Sequence, residues 1–428
     1  MLFHDRNKQG SFDLEAAELA IRNRMLQCGA LILDKVLSHE DGNALTEICE
    51  CGGSFTTTQR QGKTIRTVLG DVRVRRGYQQ CSHCNRRRFP ADTVLDVERT
   101  GFSPGLRRIM AKTGSMVCFD KAGDLIFDLG GIRVTDKDVE RVAEAVGADI
   151  AQREDIEVSS VMAGAELDSE DVPEVLYIAT DGTGVPVLRR ETQGRPGKAA
   201  DGIARSRETK LGAVFTQTSV DKEGNPLRDP NSTTYVGKIE GIEDFAPRLY
   251  TEAKHRGADH AKEVAILGDG APWIWNMAEE HFPGAIQILD YYHAKEHLCE
   301  LGKELFADEQ KQQDWLNPLS DLLWEGRIGE IITQLRQLEV KGKKRKAVER
   351  TVRYFEKNIA RMNYGEFRKN NLFIGSGVVE AGCKSLVSQR LKQSGMHWSI
   401  LGANAIIALR CCVESNKFED YWETRKAA

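Results

Sequence analysis

The apolar positions in the second half of the chain form short runs that are typical of buried strands. They predict five strands, with a helix over Ile242–Arg256 between the third and the fourth. This order predicts an α/β sheet of mixed direction. The predicted strands are Val175–Thr180, Leu211–Gln217, Thr233–Val236, Val264–Leu267 and Ala285–Leu289.

The other apolar positions recur with the spacing of helices. One helix is predicted from Asp13 to Val36, and a nearly all-helical region from about residue 294 to residue 371. Three more helices are predicted, the third with Thr135 as its N-cap. Their spacing is compatible with a helix-turn-helix, although plain helix packing is the commoner origin of such a pattern. These three helices are Pro104–Val117, Lys121–Leu129 and Val139–Ala148.

An acidic segment between Arg153 and Val175 holds eight Asp or Glu residues and no Lys or Arg. Such a change of composition predicts a domain boundary. The predicted divisions are an N-terminal helix (1–45), a cysteine module (46–100), a helical region (101–153), a sheet-containing core (175–295 and 373–415) and an all-helical insertion (296–372).

Composition sets only broad limits. The chain has 428 residues, 40% of them hydrophobic, and a formal net charge of −4. Any surface for nucleic acid must therefore be local, because the overall charge does not favour a polyanion. Ten cysteines, without an N-terminal apolar signal segment or a long apolar run, predict a reducing, cytosolic setting and no membrane span.

Two short cysteine pairs flank an alternating stretch that predicts a β-hairpin around Gly70 and Asp71. Zinc binds four soft ligands in a tetrahedron, and two cysteine pairs that close a hairpin supply them, as in a zinc ribbon. The first pair has the spacing C-x-C, where C-x2-C is usual, so His83 is an alternative ligand and four unligated thiols are an alternative state. The pairs are Cys49 with Cys51 and Cys81 with Cys84.

Arginines crowd this module, and their density predicts contacts with DNA phosphates, with a merely solvated face as the alternative. Of the other cysteines, five have apolar neighbours and are predicted to be packed thiols. The predicted DNA contacts are Arg73, Arg75, Arg86, Arg87 and Arg88, and the predicted packed thiols are Cys118, Cys299, Cys383, Cys411 and Cys412.

Three acids stand in distinctive surroundings. Asp181 and Asp269 each end an apolar run and precede a glycine, which predicts strand ends followed by sharp turns. Glu380 falls in a helical pattern from Ser376 to Gln393. A buried acid is costly unless it is paired or binds a metal, so the three predict a site for two Mg²⁺ or Mn²⁺ ions, with Asp181 as the bridging ligand. The alternative for each Asp-Gly is a simple turn or helix N-cap, which for Asp269 the nearby Pro272 favours.

Four segments together resemble the DDE transposases of bacterial insertion sequences, most closely the ISKra-type group, which is related to the Lre-type and Mutator-like elements. The resemblance covers about residues 45 to 415. The segments are IATDGTGVP around Asp181, GDGAPWIW around Asp269, ILDYYHAKEHL from Ile288 to Leu298, and GSGVVEAGCKSLVSQRLKQSGMHW from Gly375 to Trp398.

The resemblance implies an RNase H-like catalytic core with an all-α insertion domain, preceded by a zinc-ribbon-like module and a helical, DNA-binding region. It implies that Asp181, Asp269 and Glu380 are catalytic, and that His293, in an Asp-x2-His motif, lies near the active site or the DNA end. A zinc pair of His293 and His297 is an alternative that lacks an obvious third ligand. Further DNA contacts are predicted on and after the Glu380 helix, with core packing as the alternative for the tryptophan. They are Lys384, Arg390, Lys392 and Trp398.

The function implied is that of a transposase that binds the terminal inverted repeats of its element, cleaves DNA with Mg²⁺ and transfers the strand to a target. Pairing of two element ends implies a homodimer or higher oligomer on DNA, in the nucleoid of a bacterial cytoplasm. Two alternatives remain: a metal-dependent nuclease without strand transfer, and a transposase-derived DNA-binding regulator.

Overall fold

A computed structural model describes residues 13–39, 48–167, 172–197 and 201–425. The chain divides into two compact units, the first formed by Met1–Val146 with Glu419–Ala428 and the second by Gly147–Phe418. Parts of the predicted N-terminal helix module (1–45) and of the predicted cysteine module (46–100) lie outside the described residues. Among the described residues, no helix is long and apolar enough to cross a membrane.

The first unit is built on a long hairpin. Val72 and Val74 of β2 are buried, whereas Arg73 and Arg75 between them are exposed, as expected for a strand with one face on a core. Thr67 pairs with Gly70, so the two-residue turn lies at positions 68 and 69, slightly before the predicted Gly70-Asp71 turn. The elements are α1 (Leu14–His39), β1 (Phe55–Thr67), β2 (Gly70–Cys81), β3 (Arg87–Arg88), α2 (Pro90–Val94), α3 (Pro104–Met116), α4 (Phe119–Gly130) and α5 (Asp136–Met162), which ends in the second unit.

The predicted three helices are present as α3, α4 and α5. Gly131 ends α4 in the left-handed conformation, with φ 72°. Thr135 and Asp138 then form a reciprocal cap, because the Asp138 backbone N–H donates to Thr135 Oγ1 at 3.1 Å and Thr135 Oγ1 donates to the Asp138 carboxylate at 2.8 Å. The prediction of Thr135 as a helix cap is confirmed.

Helix α5 is longer than predicted and continues through the start of the acidic segment. Buried Arg248 explains this extension, because its guanidinium binds Asp155 at 2.6 Å and Glu154 at 3.3 Å. The first acids of the predicted boundary are therefore paired helix residues of the second unit.

The second unit contains a mixed five-stranded sheet in the order β10 (Ile286–Leu289), β9 (Glu263–Gly268), β4 (Val175–Pro186), β5 (Ser206–Gln217) and β8 (Thr234–Lys238). The first three of these strands are mutually parallel, and β5 runs antiparallel to both β4 and β8. All five predicted strands, and the helix before the last two, are confirmed. The elements up to the sheet edge are β4 (Val175–Pro186), β5 (Ser206–Gln217), β6 (Ser219–Val220), β7 (Pro226–Leu227), β8 (Thr234–Lys238), α6 (Ile242–His255), β9 (Glu263–Gly268), α7 (Pro272–His281) and β10 (Ile286–Leu289).

Helices follow the sheet and share its core, since buried Ile266 and Phe245 belong to the same apolar cluster as Leu298 and Phe355. The mixed α/β fold expected from the sequence is thus confirmed. These helices are α8 (Tyr291–Leu305), α9 (Glu309–Trp324), α10 (Ile328–Arg336), α11 (Lys343–Asn358) and α12 (Tyr364–Lys369). The chain continues with α13 (Gly377–Gly382), a π-helical segment (Cys383–Ser388), α14 (Gln389–Leu391), α15 (Ile400–Glu414) and α16 (Phe418–Thr424), which lies almost wholly in the first unit.

Candidate functional site

The four predicted cysteine ligands converge at the base of the hairpin. Their sulfur atoms all lie within 4.8 Å of one another. The Sγ atoms of Cys49 and Cys84 are 3.6 Å apart, and those of Cys51 and Cys81 are 3.5 Å apart. A tetrahedral zinc site with Zn–S bonds near 2.3 Å places its sulfurs about 3.8 Å apart, so this donor set fits the ion.

The local backbone favours this arrangement despite the short C-x-C spacing. A Cβ atom at Gly53 would lie 2.8 Å from the Cys81 sulfur, so only glycine lets the first cysteine pair approach the second. A hydrogen bond from the Gly53 backbone N–H lowers the pKa of Cys51 to about 6, which favours the thiolate that zinc requires. His83 instead places its Nδ1 atom 3.3 Å from the Cys51 carbonyl oxygen, so four thiols, without the histidine, form the cluster.

The predicted DNA contacts of this module differ in exposure. Arg73, Arg75 and Arg87 are exposed. Arg86 is exposed as well and pairs with Glu50 at 2.8 Å. Arg88 is half-buried, with its guanidinium 3.8 Å from the centre of the Phe55 ring. The first four therefore remain accessible to a phosphate backbone, while Arg88 also contributes to packing.

Asp181 and Asp269 are placed side by side by the register of two parallel strands. The pairing of β4 with β9 ends at Ala179 and Leu267. Each aspartate lies two residues beyond this last pair, so the two side chains project from equivalent positions where the strands separate. The sheet thus brings together two acids that are distant in sequence.

The prediction that Asp181 ends its strand was wrong. β4 continues to Pro186, because its residues from Asp181 onward keep their pairing with β5 while the pairing with β9 has ended. Gly182 is therefore a strand residue, and its backbone N–H donates to the Asp181 carboxylate at 2.7 Å. Asp269 does enter a turn, since its carboxylate accepts from the Ala271 backbone N–H at 2.9 Å.

The surroundings of Asp181 disfavour the ionised form of its carboxyl group. Burial raises the pKa of Asp181, and the charges of Asp269 and Glu380 raise it further, whereas the Gly182 N–H and the Cys383 thiol oppose the shift by donating to the carboxylate. Because such repulsion acts at short range, Asp269 and Glu380 lie near enough to Asp181 for their charges to act on it, and we call these three acids the acidic cleft. Their oxygens are more widely spaced than the cysteine sulfurs, since within the described residues only the cysteines gather as a group of at least three ligand atoms within 4.8 Å.

Lys392 is a cation close to Asp181. Its ammonium group donates to Thr183 Oγ1. Burial lowers the pKa of Lys392, while the nearby Asp181 acts in the opposite direction. Lys384, in contrast, is exposed on the π-helical segment. Both lysines remain available for the predicted contacts with DNA.

Glu380 is exposed on α13, and the helix continues through a π-helical segment into α14, close to the limits predicted from the sequence. Such segments leave backbone carbonyls without regular helical partners and are frequent at functional sites. Here the buried Arg410 of α15 donates to the carbonyls of Leu386 and Ser385, both at 2.7 Å. Arg410 therefore stabilises the irregular turn that directly follows Glu380.

Buried Asp290 joins the aspartate side of the cleft to the glutamate side. Its backbone N–H donates to the Gly268 carbonyl at 2.8 Å, next to Asp269. Its carboxylate accepts from the His293 backbone N–H at 2.7 Å and from Ser376 Oγ at 2.9 Å. Ser376 Oγ also lies 3.1 Å from the Glu380 carboxylate. This chain of contacts fixes the helix of Glu380 relative to β9, the strand that ends just before Asp269.

The histidines of the Asp-x2-His motif lie beside a tyrosine. The rings of His293 and His297 are 5.0 Å apart, and the ring centre of Tyr354 is 3.9 Å from that of His297. Burial raises the pKa of Tyr354, and the negative charges of Asp269 and Asp290 raise it further. The hydroxyl lies beside Gly270, where a Cβ atom would be 3.4 Å from it. Within the described residues, the histidine pair has no third ligand that would complete a metal site.

Two predicted DNA contacts require correction. Arg390 has no exposed surface and lies over the ring of Trp398 at 5.2 Å, so in this structure it is a core residue. Trp398 is 8% exposed, and its indole N–H donates to the Leu391 carbonyl at 3.0 Å, which excludes stacking on a base. The packing alternative for Trp398 is confirmed, because the ring anchors the chain after α14.

Four residues of the site were not identified from the sequence. Cys383 was predicted only to be a packed thiol. No local sequence signal indicated the bridging role of Asp290 or the roles of Tyr354 and Arg410. Each acts through partners that are distant in the chain. The residues are Cys383, Asp290, Tyr354 and Arg410.

Comparison with known proteins finds a curated relative and a distant solved structure, among others. The relative is a UPF0236 protein of Caldanaerobacter subterraneus subsp. tengcongensis, whose name joins eleven serial designations. It is 22% identical over 366 residues, which cover 83% of this chain and 68% of the relative. The Drosophila P element transposase strand transfer complex matches 77% of this chain and 83% of the solved chain, with 11% identity and a TM-score of 0.24, too low to support an argument about fold.

A family model matches residues 7–418 and is described as "Uncharacterised protein family (UPF0236)". The match includes the cysteine cluster, the three acids and the bridging Asp290. The chain therefore belongs to the UPF0236 family.

Proposed function

We propose that this protein is a DDE transposase of the ISKra-type group, which cleaves the ends of its element and joins them to target DNA. The observation that supports the proposal is that Asp181 and Asp269 occupy equivalent positions after paired strands, and that the charges of Asp269 and Glu380 raise the pKa of Asp181. Neighbouring acids that repel one another are stabilised by cations, and two Mg²⁺ or Mn²⁺ ions would serve both the nucleophile and the leaving oxygen.

The proposed core is RNase H-like, with α8–α12 as its all-α insertion domain. Its support is a mixed sheet in which three antiparallel strands precede a helix and two parallel strands. The name of the relative joins eleven numbered designations, and a mobile element present in many copies would give one protein such a series. The cysteine cluster would hold a structural Zn²⁺, and the exposed arginines of the hairpin would contact DNA.

The test uses purified protein and labelled DNA fragments from both flanks of its own gene, with Mg²⁺ or Mn²⁺. Wild type should produce nicked and joined products. Asp181→Asn, Asp269→Asn and Glu380→Gln should each reduce cleavage by at least about a thousandfold while end binding changes little. Glu223→Gln, an exposed loop residue, is the matched control and should behave as wild type.

Each other outcome has a definite meaning. Nicks without joined products would replace the transposase with the metal-dependent nuclease. Tight, salt-sensitive binding without cleavage by wild type would replace it with the DNA-binding regulator. Cleavage retained by one of the three acid variants would remove that acid from the active site.

A further inference from the structure

Helix α1 carries an apolar stripe that the rest of the described chain leaves exposed. Ile21, Met25 and Ile32 have 61%, 70% and 59% of their surface exposed. Cys28, between the last two, is also exposed. The stripe extends toward Leu14 at one end and Val36 at the other, which are exposed too.

The stripe is not required for the packing of α1 on its own unit. The opposite face of the helix meets the hairpin, where Asp34 accepts from the Arg73 backbone N–H at 2.8 Å and Leu37 packs against the cluster of Ile65 and Val74. The helix therefore has two apolar faces, and only one of them has a partner within the described chain. A contiguous exposed apolar surface of this kind marks an interaction site.

The spacing of the stripe identifies the shape of its partner. Positions 21, 25, 28 and 32 follow alternating steps of four and three residues, which is the heptad pattern of a two-stranded coiled coil. From Ile21 to Ile32 the stripe is about 17 Å long at 1.5 Å per residue, which gives four layers of contact along each helix. A second α-helix with the same pattern matches it along this whole length.

We propose that the stripe binds α1 of a second copy of this chain, in an antiparallel two-stranded coiled coil. Its two-fold axis would pass between Leu26 and Gln27. Met25 would then face Cys28 of the second copy, and Ile21 would face Ile32. Such an interface is isologous, so every contact occurs twice.

Charge determines the antiparallel direction. Glu18 and Lys35 are exposed on the same stripe, three residues before Ile21 and three residues after Ile32. In the antiparallel pair, Glu18 of each copy faces Lys35 of the other, so two opposite-charge pairs close the ends of the apolar seam. In a parallel pair, Glu18 would face Glu18 and Lys35 would face Lys35, which disfavours that orientation.

Sedimentation equilibrium of the full-length protein, without DNA, tests the proposal independently of any cleavage activity. Wild type should dimerise reversibly. Glu18→Lys and Lys35→Glu should each raise the dimer dissociation constant about fivefold or more, since either change replaces two attractive pairs with two repulsive ones. The double variant should return to within about twofold of wild type.

Two further variants make the result decisive. Met25→Asp, at the centre of the seam, should give a monomer with unchanged helix content by circular dichroism. Lys222→Glu, on an exposed loop of the second unit, changes net charge as Lys35→Glu does and should leave the dimer unaffected. A wild type that is monomeric at all concentrations, a dimer that survives Met25→Asp, or a double variant that is not restored would each overturn the antiparallel α1 interface.

Discussion

The cysteine cluster and the acidic cleft are both sets of metal-binding side chains, but the chain assembles them in opposite ways. The cysteines lie at the base of one hairpin, whose strand pairing and the nearby Gly53 bring the sulfurs together. Asp181 and Asp269 are aligned by the pairing of β4 with β9, whereas Glu380 lies on a helix far along the chain. Buried Asp290 connects that helix to the end of β9 through its bond to Ser376. The first site is therefore specified locally, whereas the second depends on the whole second unit.

This difference predicts how each site should fail. A locally built site loses its geometry when one ligand is removed, because little besides the metal holds a small module together. An assembled site should instead be sensitive to residues that never touch the reacting atoms. The following predictions test that contrast, beginning with the largest expected effect.

Cys81→Ser should reduce bound zinc from about one ion per chain to none, because three thiolates bind zinc far more weakly than four. Metal analysis of the purified protein measures this loss. Limited proteolysis should then cut residues 48–103, while the thermal transition of the second unit stays unchanged. Cys299→Ser is the thiol control. Full zinc content in Cys81→Ser would show that the cluster is not the metal site.

Asp290→Ala should lower the free energy of unfolding by about 2–4 kcal/mol, because it leaves several buried donors without their acceptor. Cleavage should fall as in the acid variants, although Asp290 contacts no substrate in the proposed reaction. Asp308→Ala is the matched control. Asp308 caps α9 by accepting from the Lys311 N–H at 2.9 Å, and its loss should cost only about 1 kcal/mol. Equal effects of the two changes would reduce Asp290 to an ordinary helix cap.

Arg410→Met should cost about 1–3 kcal/mol, since two carbonyls of the π-helical segment lose charged donors. Hydrogen exchange of amides at 383–388 should accelerate more than that of amides in α15, and this readout separates a local role from general destabilisation. Arg410→Lys retains the positive charge, so its stability and its exchange rates at 383–388 should lie between those of Arg410→Met and wild type. Unchanged exchange in the segment would remove Arg410 from the support of Glu380.

The strands could be predicted from the sequence because a buried strand is a local apolar run, and the cysteine cluster because its spacing is local. The end of β4 could not, because Gly182 resembles a turn signal until the pairing with β5 is known. Arg390 and Trp398 were predicted to contact DNA because cationic and aromatic side chains near a catalytic acid often bind a DNA strand. Their contact with each other depends on the folded chain and could not be seen in the sequence. Asp290 was recognised as part of a motif, while its bond to Ser376 required the fold.

The smallest expected effect is on stability at the acidic cleft itself. Because the folded protein raises the pKa of Asp181, its ionised form destabilises the fold above that pKa, and the penalty vanishes as the pH falls through the folded and then the unfolded value. Without divalent cations, Asp181→Asn should therefore stabilise the protein at pH 8, by at most about 1 kcal/mol after solvent screening, and have no effect near pH 3.5.

With Mg²⁺ present, wild type should instead be more stable than Asp181→Asn at pH 8. The cation binds the ionised site of wild type and raises its melting temperature by mass action, whereas Asp181→Asn lacks the bridging carboxylate and should gain little. Differential scanning fluorimetry at pH 8, with chelator and then with Mg²⁺, measures both effects, and Glu223→Gln should follow wild type in each. A loss of stability in chelator for Asp181→Asn would mean that Asp181 is held by structural partners. In that case the acids, like the cysteines, would be held by their local surroundings, and the proposed difference between the two sites would be wrong.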